Sequence, residues 1–85
     1  MAEQAPKLLD DARRALAAGN AAELRRAAHT LKGSASLFGA RPAEAAALEL
    51  ETLAREGKLE GAQQATNRLE VELRRLLDSL REVLA

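Results

Sequence analysis

The sequence predicts an all-α protein, an antiparallel up-down bundle of four helices. Ala and Leu supply most of the 47% hydrophobic content, and together with Glu, Arg and Lys they form a mixture that favours helix. Apolar residues recur at helical spacing in four stretches, which Gly and Pro residues separate. β-branched and aromatic residues are rare, so no strand pattern competes with this interpretation.

The first two helices are predicted from their ends and their apolar stripes. Pro6 suits the first turn of a helix over about residues 5–18, because its missing N–H would be unpaired there in any case. Gly19 then ends that helix. Asn20 is a suitable N-cap for a second helix, which runs to about Phe38. The two stripes comprise Leu8, Leu9, Ala12, Ala15 and Leu16 in the first helix and Leu24, Ala27, Ala28, Leu31, Ala35 and Phe38 in the second.

The third and fourth helices complete the bundle. Pro42 opens the third helix and Gly57 ends it, and the fourth starts near Leu59 or Glu60 and continues to the end of the chain. Short loops favour antiparallel neighbours. A long coiled-coil hairpin is the main rival architecture, but the glycines and prolines along the first two thirds of the chain count against it. The stripes are Ala43, Ala46, Ala47, Leu50, Leu53 and Ala54, then Ala62, Ala65, Leu69, Leu73, Leu76, Leu77, Leu80 and Val83.

Charge and composition exclude several classes of function. The 13 basic and 13 acidic residues give a net charge of zero, and there is one aromatic residue, so a general nucleic-acid binder is not expected. No apolar run has the length of a membrane span, and the first residues lack a signal-peptide pattern. We therefore expect a cytoplasmic protein without direct membrane contact.

Metal and cofactor chemistry is also not expected. One histidine and no cysteine cannot build a usual metal site, so we predict no metal and no cofactor. Glu44, Glu49 and Glu51 are interpreted as a solvated helix face rather than a cation site. Leu48 and Val71 are interpreted as exposed apolar positions, which are normal on a protein surface.

The histidine lies off the apolar stripe of the second helix. At about 100° per residue, His29 is roughly 140° from Leu24 around the helix. Lys32 and Gly33 follow it by three and four residues and share its exposed face. Imidazole is a nucleophile near neutral pH, and a phosphoryl group on it would bring about two negative charges for Lys32 to pair with. Gly33 costs about 1 kcal/mol in a helix interior, which indicates close approach by a partner.

Three further residues extend this exposed face. Arg25, Arg26 and Ser36 are its neighbours, and we expect them to contact a partner. Each of these residues alone is more often an ordinary surface residue, but the combination with His29 favours a functional site. The chain has no Gly-rich phosphate loop and no Walker pattern, so we expect a phosphate carrier rather than an enzyme.

The run from His29 to Ala35, followed by Gly39-Ala40, resembles the signature of histidine-phosphotransfer (HPt) domains, which reads His-x-Leu-Lys-Gly-Ser. Segments 17–24, 48–51 and 56–62 are also similar to the family, so the resemblance covers nearly the whole chain. It implies a single domain over residues 1–85, folded as a four-helix bundle. It further implies that His29 is phosphorylated, that Lys32 stabilises the phosphoryl group and that Gly33 gives the partner access.

The resemblance also implies the partners. A response-regulator receiver domain, which brings the aspartate and Mg²⁺, or a histidine kinase would exchange the phosphoryl group with His29 in a two-component phosphorelay. Two alternatives stay open: the phosphorylatable N-terminal domain of a chemotaxis-type kinase, and a module that docks receivers without carrying phosphate. The first helix is shorter than in many family members, as expected for a domain excised from a larger hybrid sensor kinase or for a minimal free-standing one.

Overall fold

The computed structural model describes residues 4–84, with side chains for residues 7–83. Its four helices are α1 (Gln4–Ala17), α2 (Ala21–Leu37), α3 (Arg41–Arg55) and α4 (Leu59–Leu84). Helices that follow each other in sequence pack together, and α1 closes the bundle against α4. The predicted all-α class and four-helix bundle are confirmed, and the helix ends lie within about one residue of the expected positions.

The turn between α1 and α2 illustrates how local sequence sets the helix ends. Gly19 has a φ of 69°, a left-handed conformation that Gly adopts at little cost. The N–H of Asn20 donates to the carbonyl of Ala15 at 2.8 Å, and the N–H of Gly19 donates to the carbonyl of Leu16 at 3.1 Å. This is a Schellman motif, which satisfies the last carbonyls of α1. Asn20 Oδ1 then accepts from the N–H of Glu23 at 3.2 Å and caps α2.

Small and medium apolar side chains fill the space between the helices. Leu24, Leu31, Leu50 and Leu69 are the largest fully buried apolar residues, and alanines occupy most of the remaining core positions, which allows the helices to pack closely. The buried apolar residues are Ala12, Ala15, Leu24, Ala27, Ala28, Leu31, Ala35, Ala43, Ala46, Ala47, Leu50, Ala54, Ala62, Ala65, Leu69 and Leu73.

Two predicted members of the apolar stripes are exposed instead. Phe38 is 43% exposed because it is the C-cap of α2, where the chain has already left the helical path. Val83 is 82% exposed near the end of α4. At 1.5 Å per residue α4 spans about 39 Å and α3 about 22 Å, so the last turns of α4 extend beyond α3. Leu48 and Val71 are exposed, as expected.

The most extensive helix contact, between α2 and α3, carries the predicted site. On the opposite side, α1 is joined to α4 partly by polar groups. Arg13 donates to Asn67 Oδ1 at 3.2 Å and also pairs with the Glu70 carboxylate, which lowers the pKa of Glu70. Within residues 4–84, no helix combines the length and the apolar composition that crossing a bilayer requires.

Candidate functional site

His29 faces solvent from the middle of α2, with 65% of its side chain exposed. Its neighbours Ala28 and Leu31 are fully buried, so packing fixes the backbone of α2 directly beneath the imidazole. The ring therefore lies on the side of the helix that the helical wheel predicts. Rigid backbone below an exposed side chain is what a site needs when it presents one reactive group to another molecule.

Glu51 of α3 contacts the imidazole on its buried side. Its side chain is only 7% exposed, and its Oε2 lies 2.8 Å from Nδ1 of His29. Its second oxygen, Oε1, accepts a hydrogen bond from the Lys32 ammonium at 2.7 Å. One buried carboxylate thus connects both predicted functional side chains of α2 to α3.

The prediction that Glu51 belongs to a solvated helix face is therefore wrong. Glu51 follows Ala47 by four residues and precedes Ala54 by three, so it lies on the buried stripe of α3 and faces α2. That spacing is the signal in the sequence that could have identified it. Glu49 does lie on the exposed face, where its carboxylate accepts from Arg68 at 2.5 Å. Glu44 is half-buried.

The protonation state of Glu51 determines how His29 is presented. The hydrogen bond from Lys32 lowers the pKa of the Glu51 carboxyl, burial opposes this effect, and the hydrogen bond from His29 adds to the lowering. An ionised carboxylate can only accept hydrogen bonds, so Nδ1 of His29 carries the proton in this contact. In a neutral imidazole the lone pair available for reaction is then on Nε2.

Lys32 is not free in this arrangement. Its side chain is 28% exposed, and its ammonium is engaged by Glu51 rather than directed away from the helix. The ammonium still lies one helical turn from His29, on the same side of α2. Lys32 therefore neutralises the buried carboxylate and, at the same time, remains within reach of a group attached to the imidazole.

Gly33 and Ser36 form the open side of the site. Both are exposed, and no atom outside the local backbone lies within 4 Å of the position that a Cβ on Gly33 would take. Gly33 therefore does not serve close packing within the domain. Ser36 is on the same face but about 10 Å further along the axis of α2, at seven residues' spacing.

Arg25 and Arg26 lie on the other side of His29. Together with His29 and Arg55 of α3, they line a cleft of about 430 Å³. Arg55 was not identified from the sequence, because only the pairing of α2 with α3 brings it next to the other arginines. In the described part of the chain, no group of three or more His, Asp or Glu side chains is arranged to hold a metal ion.

The family model described as "Hpt domain" matches residues 1–83 of the 85-residue chain. The matched region contains α1, α2, α3 and all but the last residue of α4, together with the side chains around His29. No curated protein and no solved structure matches the chain.

We predict that Glu51→Gln destabilises the domain at neutral pH by roughly 1.5–3 kcal/mol, because two hydrogen bonds lose their charged acceptor. The pKa of Glu51 is lowered in the folded state, so the ionised carboxylate contributes stability above its ordinary pKa of 4.5. This contribution is lost as the pH falls through the lower folded-state value. Urea denaturation at a series of pH values should show the difference between wild type and variant shrinking below pH 4.5.

Glu49→Gln is the matched control, because it makes the same substitution on the exposed side of α3. Its ion pair with Arg68 is solvated, so we expect a change within about 1 kcal/mol. A Glu51→Gln effect that is equally small, or that stays constant down to low pH, would contradict the assignment of a buried, ionised carboxylate.

Proposed function

The chain belongs to the Hpt domain family, and from this premise we propose that His29 is the residue that carries the phosphoryl group. Hpt domains perform histidine phosphotransfer in phosphorelays, as phosphocarriers rather than classical enzymes. They interact with response regulators and kinases. For this chain we propose that the partner is the receiver domain of a response regulator, which exchanges the phosphoryl group between its aspartate and His29.

The observation that carries this proposal is the hydrogen bond between Nδ1 of His29 and the buried Glu51, at 2.8 Å. It fixes the ring while 65% of the side chain stays exposed. It also leaves Nε2 as the nitrogen with an available lone pair. Phosphoryl transfer depends mainly on positioning and on stabilisation of charge, and this arrangement supplies both for the accepting atom.

The proposed step begins with the neutral imidazole. The Nε2 lone pair attacks phosphorus, the Nε2–P bond forms, and the bond between phosphorus and the donor's carboxylate oxygen breaks. The electron pair of that bond leaves with the carboxylate, while Nδ1 keeps its proton. The ring therefore becomes positively charged, and the Glu51 carboxylate stabilises this charge through the existing hydrogen bond. Transfer to an acceptor aspartate is the same step in reverse.

Lys32 has two successive roles in this proposal. Before transfer, its ammonium neutralises Glu51 at 2.7 Å. The phosphoryl group then brings about two negative charges within one helical turn of Lys32 and competes with Glu51 for the ammonium. Movement of Lys32 towards the phosphoryl group stabilises the phosphorylated state, and Glu51 keeps its contact with the positively charged ring.

The proposal is tested by incubating the domain with candidate receivers that carry a radiolabelled phosphoryl group. We expect wild type to acquire an acid-labile label, and His29→Gln to acquire none, because the chain has no other histidine. Lys32→Gln and Glu51→Gln should accept the label roughly 10- to 100-fold more slowly, since each removes a charge that stabilises the reacting groups. The initial rate of label transfer is the measurement.

Glu49→Gln is again the control and should transfer at the wild-type rate. Label on the His29→Gln variant, or label that survives acid, would place the phosphoryl group elsewhere, for example on a serine. A wild-type domain that binds a receiver tightly but accepts no label would instead be a docking module.

Gly33→Ala separates access for the partner from stability of the fold. Gly33 has no positive φ and open space around its Cβ position, so Ala should stabilise the domain by about 0.5–1 kcal/mol. The added methyl group should nevertheless slow transfer from the receiver, because the partner must approach this face. Urea denaturation and the transfer rate are measured on the same samples.

Gly19→Ala is the comparison, because the backbone conformation at position 19 favours glycine. It also has open space, but its φ of 69° makes Ala strained, so this variant should lose stability. A Gly33→Ala domain that is more stable and transfers as fast as wild type would remove Gly33 from the proposed partner surface.

A further inference from the structure

An arginine-lined cleft opens beside His29, between the N-terminal half of α2 and the C-terminal end of α3. Arg25 and Arg26 of α2 and Arg55 of α3 line its volume of about 430 Å³, and His29 forms part of the same wall. All three arginines are exposed. Three arginines from two helices therefore line a space that His29 also borders.

Cationic charge in this cleft is only partly compensated. None of the described residues that line it is acidic. Arg26 pairs with Glu23 at 3.2 Å, but both side chains are largely exposed. Arg55 is 3.8 Å from Glu51, whose two oxygens already accept hydrogen bonds from other side chains. For Arg25, no carboxylate lies within ion-pair distance in the described part of the chain.

The form of the cleft fits a broad ligand better than a single small anion. The remaining lining residues have small side chains and include Ala22 and Ala54, so they leave the cleft open between the two helices. A ligand that contacts all three arginines must present several negative groups across two helices. Carboxylates suit this role, because a guanidinium group binds a carboxylate through two parallel hydrogen bonds.

We propose that the arginine cleft, defined by Arg25, Arg26 and Arg55, binds a carboxylate-rich surface of the protein partner and steers that partner onto His29. This inference rests on the proposed function, since the phosphotransfer partner is the molecule that must reach Nε2. A cleft lined by one sign of charge focuses the electric field and raises the association rate of an oppositely charged partner. The net charge of zero and the single aromatic residue favour an acidic protein over a nucleic acid.

Binding is tested without phosphoryl transfer, by NMR titration of the wild-type domain with a short polyglutamate peptide at low ionic strength. We expect the amide signals of Ala22 and Ala54 to shift. The double variant Arg25→Gln/Arg55→Gln should bind the peptide about tenfold more weakly. Arg75→Gln is the matched control, because Arg75 is also a surface arginine but lies on α4, where it pairs with Glu72. The Arg75→Gln variant should bind the peptide with the affinity of wild type.

Two outcomes of the titration would overturn the proposal. One is equal affinity of the double variant and wild type for the peptide. The other is tighter binding of an oligothymidylate that carries the same number of negative charges, which would indicate a nucleic acid as the ligand of the cleft.

Steering is tested in the transfer assay, with kcat/KM measured between about 50 and 500 mM salt. The double variant should have a kcat/KM about tenfold below wild type at the lowest salt, with the loss falling on KM more than on kcat. Its dependence on salt should also be flatter. A salt dependence identical to that of wild type would overturn the proposal.

If wild type accepts no phosphoryl group, the proposed function fails. The peptide titration alone then tests whether the cleft binds carboxylates.

Discussion

The carboxylate of Glu51 is the constraint on which the rest of the site depends. It lies in the contact between α2 and α3, and each of its oxygens holds one side chain of α2. Burying a charge is costly unless donors pair with it, so Glu51 requires both His29 and Lys32 in their observed positions. The same hydrogen bonds that stabilise the buried charge also fix the imidazole and hold its proton on Nδ1.

Packing of the bundle sets the distance between the two helices that this carboxylate connects. Leu31 and Leu50 are fully buried in the core of α2 and α3, so the distance between the two helices is set by packing rather than by the polar contacts. The site is thus built on helices, which position side chains more precisely than loops do. The groups on which the proposed function depends lie outside the core: the ring is exposed, the face at Gly33 is open, and the arginine cleft lies beside the ring. This division suits a carrier whose partners supply the remaining chemistry.

The sequence was sufficient for the features that depend on local interactions. Gly19 and Asn20 specify one helix end and the next helix start by themselves, and the 3.6-residue period places His29 off the apolar stripe. The predicted solvated face is wrong for Glu51, because the three glutamates of α3 do not share one side of the helix. Its spacing from Ala47 and Ala54 places it on the buried stripe, but its partners become visible only when α2 is aligned against α3. The position of Arg55 beside α2 depends on the same alignment. Periodicity also does not show that Phe38 lies just past the end of α2, or that α4 extends beyond α3 at Val83.

The central claim is that Glu51 holds His29 with its proton on Nδ1 and with Nε2 available for phosphoryl transfer. Long-range ¹H–¹⁵N NMR of the imidazole measures this directly, and the single histidine makes the assignment unambiguous. In the unphosphorylated wild-type domain, at a pH where the ring is neutral, the Nδ1–H tautomer should dominate, and Glu51→Gln should lose this preference. A dominant Nε2–H tautomer in wild type, or an unchanged tautomer ratio in Glu51→Gln, would contradict the account.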